Sequence, residues 1–118
     1  MTISSRRLYG DERRGDEFRM LVDRLWPRGI KKTDADIDLW LKELSPSSDL
    51  RRWFHDDPDS RYEAFAQQFK DELEEHDLDL AEIEEHADIV LLTGVKDMER
   101  SHIPTIVEYL KERLNTKK

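Results

Sequence analysis

The stretch "IVLLTG", residues 89–94, restricts the fold more than any other segment. Five aliphatic or β-branched residues follow one another without polar alternation and stop at a glycine, so neither face of such a strand suits water. A strand covered on both sides is typical of the centre of a parallel sheet, which predicts an α/β architecture. Two further strands are read upstream, "ISSRRLY" at residues 3–9 and "FRMLV" at 18–22, divided by the turn chemistry of "GDERRGDE".

Helical periodicity fills most of the remainder. Tyr62, Phe65, Ala66, Phe69 and Leu73 recur at three- and four-residue steps, with Asp71, Glu72, Glu74 and Glu75 mostly outside that stripe. Ile103, Ile106, Val107, Leu110 and Leu114 form a second stripe, with Ser101 placed as its N-cap and Pro104 in its first turn. A short helix is predicted over residues 36–44, with Ile37, Trp40, Leu41 and Leu44 on one side. Another starts at "SPSSDLRRWF", with Ser45 as cap and Pro46 at the first helical position. A last short helix is read at residues 80–86. The expected order is β-β-α-α-α-α-β-α: one α/β domain over residues 1–118, with a small, mainly parallel sheet covered by helices.

Charge narrows the partners. The net charge of −8 is local: residues 1–54 carry twelve Lys/Arg against ten Asp/Glu, residues 55–88 two against fourteen, and residues 89–118 six against four. The acidic segment repels a polyanion, which disfavours extended duplex nucleic acid but leaves room for a confined anion site. No apolar run is long enough to span a bilayer and the N-terminus lacks a signal-peptide core, so no membrane association and a cytoplasmic location are expected. The absence of cysteine excludes disulfides, thiolate zinc and a cysteine nucleophile.

In parallel sheets ligands bind beyond the carboxyl ends of the strands. Asp23-Arg24 follows the strand at 18–22, and Lys96-Asp97 follows the one at 89–93. If the strands are parallel, both clusters share one rim. Arg28 can fold back over it from a turn stiffened by Pro27 and released by Gly29. Arg24 and Arg28 offer planar donor forks and Lys96 a point charge for phosphate or carboxylate. Asp23, Asp97 and His102 are the candidates for proton handling, and Trp26 for the wall of a ligand pocket.

Plainer readings stand beside these. Asp23-Arg24 can be a structural pair, Trp26-Pro27 a lid on the core, and Lys31-Lys32 solvated surface. His55 with Asp56 and Asp57 resembles a metal set, but the acids suit the start of the next helix, and no metal site is assigned. Ser45, Ser47 and Ser48 read as capping residues. No GxGxxG or GxxxxGK[ST] loop is present, so no cofactor is assigned.

"RMLVDRLWPRGIKK", "DLWLKELSPSSDLRRWF", the aromatic-rich acidic helix and "IVLLTGVKD" together resemble the YeaO-like family, domain of unknown function 488. The resemblance spans essentially the whole chain, and its Asp-Arg-x-Trp-Pro-Arg-Gly signature is specific. It implies a small bacterial or archaeal cytoplasmic α/β protein and supplies no activity. The family pattern falls on Asp23, Arg24, Trp26, Pro27, Arg28 and Gly29, then on Lys42, Pro46, Ser47, Leu50 and Arg51, and finally on Lys96, Asp97 and His102. Two places depart from it: Ser101-His102 replaces the frequent Asn-His, and "HDDP" replaces Gly-His-Asp-Pro, so no role is carried over to His55.

The functional expectation is a site for an anionic small molecule or nucleotide, phosphorylated or carboxylated, with catalysis left open. The alternative is a non-catalytic regulatory or interaction module in which the acidic helix at residues 59–76 meets a basic partner.

Overall fold

The computed structural model describes residues 1–115, so residues 116–118 of the expected domain lie outside it. Four strands form one sheet: β1 (Thr2–Arg7), β2 (Phe18–Leu21), β3 (Leu39–Trp40) and β4 (Asp88–Thr93), in the order β1-β4-β2-β3, every neighbouring pair parallel. The "IVLLTG" strand is therefore internal, bonded to β1 on one side and β2 on the other. Ile89, Val90, Leu91 and Leu92 are each fully buried.

The helices are α1 (Lys32–Ala35), α2 (Ser48–Asp56), α3 (Pro58–His76), α4 (Ala81–Glu84) and α5 (Ile103–Asn115). The two faces of the sheet are covered unequally. Ile89 and Leu91 point to a large core shared with Phe54, Phe65, Phe69, Leu73, Ile106 and Leu110 of α2, α3 and α5. Val90 and Leu92 point the other way, to a smaller cluster with Leu8, Leu21 and Ala35, over which Trp26, Ile30, Ile37 and Trp40 pack. Both helical stripes read from the sequence face the larger core, and Ser101 Oγ accepts the Ile103 N–H at 3.1 Å at the start of α5.

The helix expected over residues 36–44 is not formed. Asp36 adopts a left-handed conformation, φ 53°, that ends α1. Leu39 and Trp40 then pair with Met20 and Leu21, and only Lys42–Leu44 is helical, as a 3₁₀ turn. Residues 39–41 alternate between the faces of the sheet: Leu39 and Leu41 pack on the larger core and Trp40 on the smaller, which is strand periodicity. The cap of α2 also moves. Ser47, not Ser45, accepts the Leu50 N–H at 3.2 Å, Pro46 lies before the helix, and Ser45 Oγ donates to the Lys42 carbonyl.

β1 and β2 run the same way with β4 between them, so residues 8–17 must return along the sheet without a helix. A buried ion cluster holds that crossover. Arg19, with no exposed surface, donates to Asp11 Oδ2 at 2.7 Å, to Glu17 Oε2 at 3.1 Å and to the carbonyls of Asp36 and Ala35. Arg6 binds the same two carboxylates at 2.7 and 2.6 Å. Among the described residues no helix is long and apolar enough to cross a membrane.

Candidate functional site

The parallel register of β2 and β4 brings Leu21 opposite Leu92, so Asp23 and Gly94 emerge at the same rim. The Asp23 carboxylate joins them. Its Oδ1 accepts from Thr93 Oγ1 at 2.6 Å and His102 Nε2 at 3.1 Å, and its Oδ2 accepts the Gly94 N–H at 2.7 Å. Burial raises the proton affinity of this carboxyl, but the bonds from His102, Gly94 and Thr93 outweigh it and hold Asp23 below the ordinary carboxylate range. His102 Nε2 also lies 3.1 Å from the Val22 carbonyl. Both neighbours of that nitrogen are acceptors, so it carries the proton. A side chain on Gly94 would bring its Cβ to 3.3 Å from Pro27 Cβ, and glycine thus lets the two loops close on each other.

Above this rim lies a cleft of about 680 Å³. It gathers Asp23, Arg24, Trp26, Arg28, Lys96, Asp97 and His102, all seven of the sequence-derived site residues. Their engagements differ. Arg24 spans to the segment before α2, its Nε donating to the Pro46 carbonyl at 3.0 Å and its Nη2 directed at the Ser45 carbonyl at 3.5 Å. Trp26 contributes to the wall while its indole N–H donates to the Ile30 carbonyl at 2.6 Å and its ring meets Trp40 edge-on at 5.3 Å. It serves the core and the cleft together. Arg28, Lys96 and Asp97 are exposed at the mouth.

The structure adds Arg51, Tyr9, Leu25, His55, Asp59 and Arg100, with Phe54 and Phe65 among the walls. Arg100 pairs with Asp59 across the mouth. Arg51 is half-buried on α2, and its guanidinium has no hydrogen bond or ion pair among the described residues. Its sequence signal is its place on the family pattern beside a helix start, which allows it to join the rim but equally allows a surface pair. Lys42, also on the family pattern, instead stacks over Trp40 at 4.2 Å. The hydroxyls at the cleft are committed: Ser45 donates to Lys42, and Ser101 donates to the Met98 carbonyl. Among the described residues no group of three or more His, Asp or Glu is placed to hold a metal ion.

The lining carries five Lys/Arg against three Asp, in a chain whose net charge is −8. Several cations elsewhere are answered by carboxylates: Arg6 and Arg19 by Asp11 and Glu17, Arg13 by Asp36 and Asp38, Lys70 by Glu108 and Glu112. Arg24, Arg28, Arg51 and Lys96 have no carboxylate within ion-pair distance among the described residues.

A family model described as the inactive DUF488-N3 subclade matches residues 2–118. The uncharacterised protein YeaO of Escherichia coli (strain K12) is 39% identical over 114 residues, 94% of this chain and 98% of YeaO. The uncharacterised protein Rv3073c of Mycobacterium tuberculosis (strain ATCC 25618 / H37Rv) is 34% identical over 111 residues, 91% of this chain and 92% of its own length. No solved structure matches the chain significantly. With a family model covering nearly every residue and relatives aligned almost end to end, the chain belongs to the YeaO-like DUF488 family, in the subclade described as inactive.

Proposed function

We propose that this protein binds a small anionic molecule in the rim cleft, as a receptor and not as a catalyst. The observation that carries the reading is Arg51: a half-buried arginine with five donors that lines the cleft and is answered by no carboxylate among the described residues. Partial desolvation without a partner is costly for a cation, and a phosphate or carboxylate restores the balance through bidentate hydrogen bonds. Arg28 and Lys96 at the mouth add attraction, and Arg24 lines the same cleft with N–H groups not used on Pro46 and Ser45.

In this reading Asp23 and His102 shape the site. Asp23 already takes hydrogen bonds from three partners and His102 Nε2 is held between two acceptors, so neither is poised to exchange a proton with a ligand. Committed hydroxyls and the subclade's description as inactive agree with a binding role. The alternative of an acidic docking helix is weakened at Glu72, whose two oxygens accept from the Ser47 N–H at 2.9 Å and its hydroxyl at 2.6 Å.

The test is isothermal titration against orthophosphate, phosphate monoesters and carboxylates, on the native protein and on Arg51→Ala and Lys96→Ala. Saturable binding that falls about tenfold or more in Arg51→Ala is expected, and a native protein silent toward the whole set overturns the reading.

A further inference from the structure

We infer that the cleft selects one class of anion: a phosphomonoester on an aromatic body, of the size of a nucleoside monophosphate. This rests on the anion-binding reading and goes beyond it in two respects, the charge and the shape of the ligand.

Charge comes from the lining. Five cationic side chains against three carboxylates leave an excess of two positive charges with the histidines neutral. A phosphomonoester carries about −1.5 to −2 at neutral pH and balances that excess. A carboxylate leaves half of it standing, and a triphosphate overruns it. The arrangement also suits a tetrahedral anion better than a flat one, because the cations come from three parts of the chain: Arg24 and Arg28 from the loop after β2, Arg51 from α2 and Lys96 from the loop after β4.

Shape comes from a second, independent observation. Among the described residues only Met1, Tyr9 and Leu25 are large hydrophobics left exposed, at 45%, 42% and 64%, and two of the three line this one cleft. Exposed apolar side chains gathered beside a cationic recess mark a surface that an apolar ligand body covers. Tyr9 is fixed for that purpose: its hydroxyl donates to the Arg28 carbonyl at 3.0 Å, and the Arg7 guanidinium lies 4.9 Å from its ring centroid. Phe54 and Phe65, stacked at 4.3 Å, supply aromatic surface to the same cavity, and about 680 Å³ is far more than a bare phosphate requires.

Titration calorimetry with orthophosphate, benzoate, phenyl phosphate and adenosine 5′-monophosphate on the full chain tests this. Both aromatic phosphate esters are expected to bind about tenfold or more tighter than orthophosphate and than benzoate. Leu25→Ser, at an exposed position, should weaken the esters severalfold and leave orthophosphate unchanged, whereas Arg51→Ala should weaken all of the phosphates. If orthophosphate binds as tightly as the esters, or benzoate as tightly as phenyl phosphate, the ligand class is wrong while the anion site stands. If Leu25→Ser weakens orthophosphate and esters alike, the apolar contact proposed here is wrong. If none of the four compounds binds, both the class and the anion-binding reading fall.

Discussion

His102 Nε2 lies 3.1 Å from Asp23 Oδ1, and this contact fastens the residue just before α5 to the end of β2, 79 positions away in sequence. Asp23 acts there purely as an acceptor. Asn in its place keeps the shape but presents an amide N–H to one of three donors, so one buried bond becomes a repulsive contact. Asp23→Asn is expected to lose about 1–3 kcal/mol in urea unfolding, and an unchanged midpoint would show that the rim does not depend on this carboxylate.

Acid should reveal the same dependence. The carboxyls of Asp23, Asp11 and Glu17 are all held below their ordinary values: against burial in Asp23 and Asp11, and with Arg6 as the largest influence on Glu17. The unfolded chain takes up these protons first, near pH 4. Stability from the three groups is therefore complete above that range and is lost as pH falls through the lower folded values. Thermal melts between pH 7 and pH 2 should show a steep acid limb, and Asp23→Asn should make it shallower.

Two arginines of the cleft should behave in opposite ways. Arg24→Ala removes the tether to the Pro46 and Ser45 carbonyls and should cost about 1–2 kcal/mol of stability. Arg51→Ala breaks no side-chain hydrogen bond or ion pair among the described residues and should stay within about 0.5 kcal/mol of the native protein while ligand affinity falls. Chemical denaturation run beside calorimetry separates the two, and a large stability loss in Arg51→Ala would contradict its assignment to the ligand.

Arg19→Met takes a cation from the buried cluster and leaves Asp11 and Glu17 to Arg6 alone. A loss of about 3–5 kcal/mol is expected in urea unfolding, larger than for Arg6→Ala, whose side chain is 18% exposed. A reversed order of the two variants would place the weight of the cluster at its outer member.

What could be read beforehand followed from periodicity. "IVLLT" allows only a strand buried on both faces, and the stripes of α3 and α5 allow only one inward side. The shared rim followed in turn, since parallel strands bring residues just after β2 and β4 together. Residues 36–44 misled because Ile37, Trp40, Leu41 and Leu44 fit a 3.6-residue period, while the alternation of Leu39, Trp40 and Leu41 fits a period of two. Pairing with Met20 and Leu21 decides between them, and that is a tertiary fact. Arg19 was illegible for a related reason: an arginine inside "FRMLV" looks like the polar side of a strand until Asp11 and Glu17 fold over it. Arg51 was visible as a charge but not as an unanswered one, because the absence of a partner is a property of space and not of sequence.

The position of β4 has a consequence for how the chain comes to be folded. More than half of the sequence separates it from β2, yet it stands between β1 and β2 and bonds to both. As the polypeptide leaves the ribosome, β1 and β2 emerge with no neighbour to join each other through, and they wait for a strand made much later. Such long-range closure folds slowly and all at once. Fragments ending before residue 88 should therefore remain unstructured, and the rim where Asp23 meets Gly94 exists only once β4 has been made.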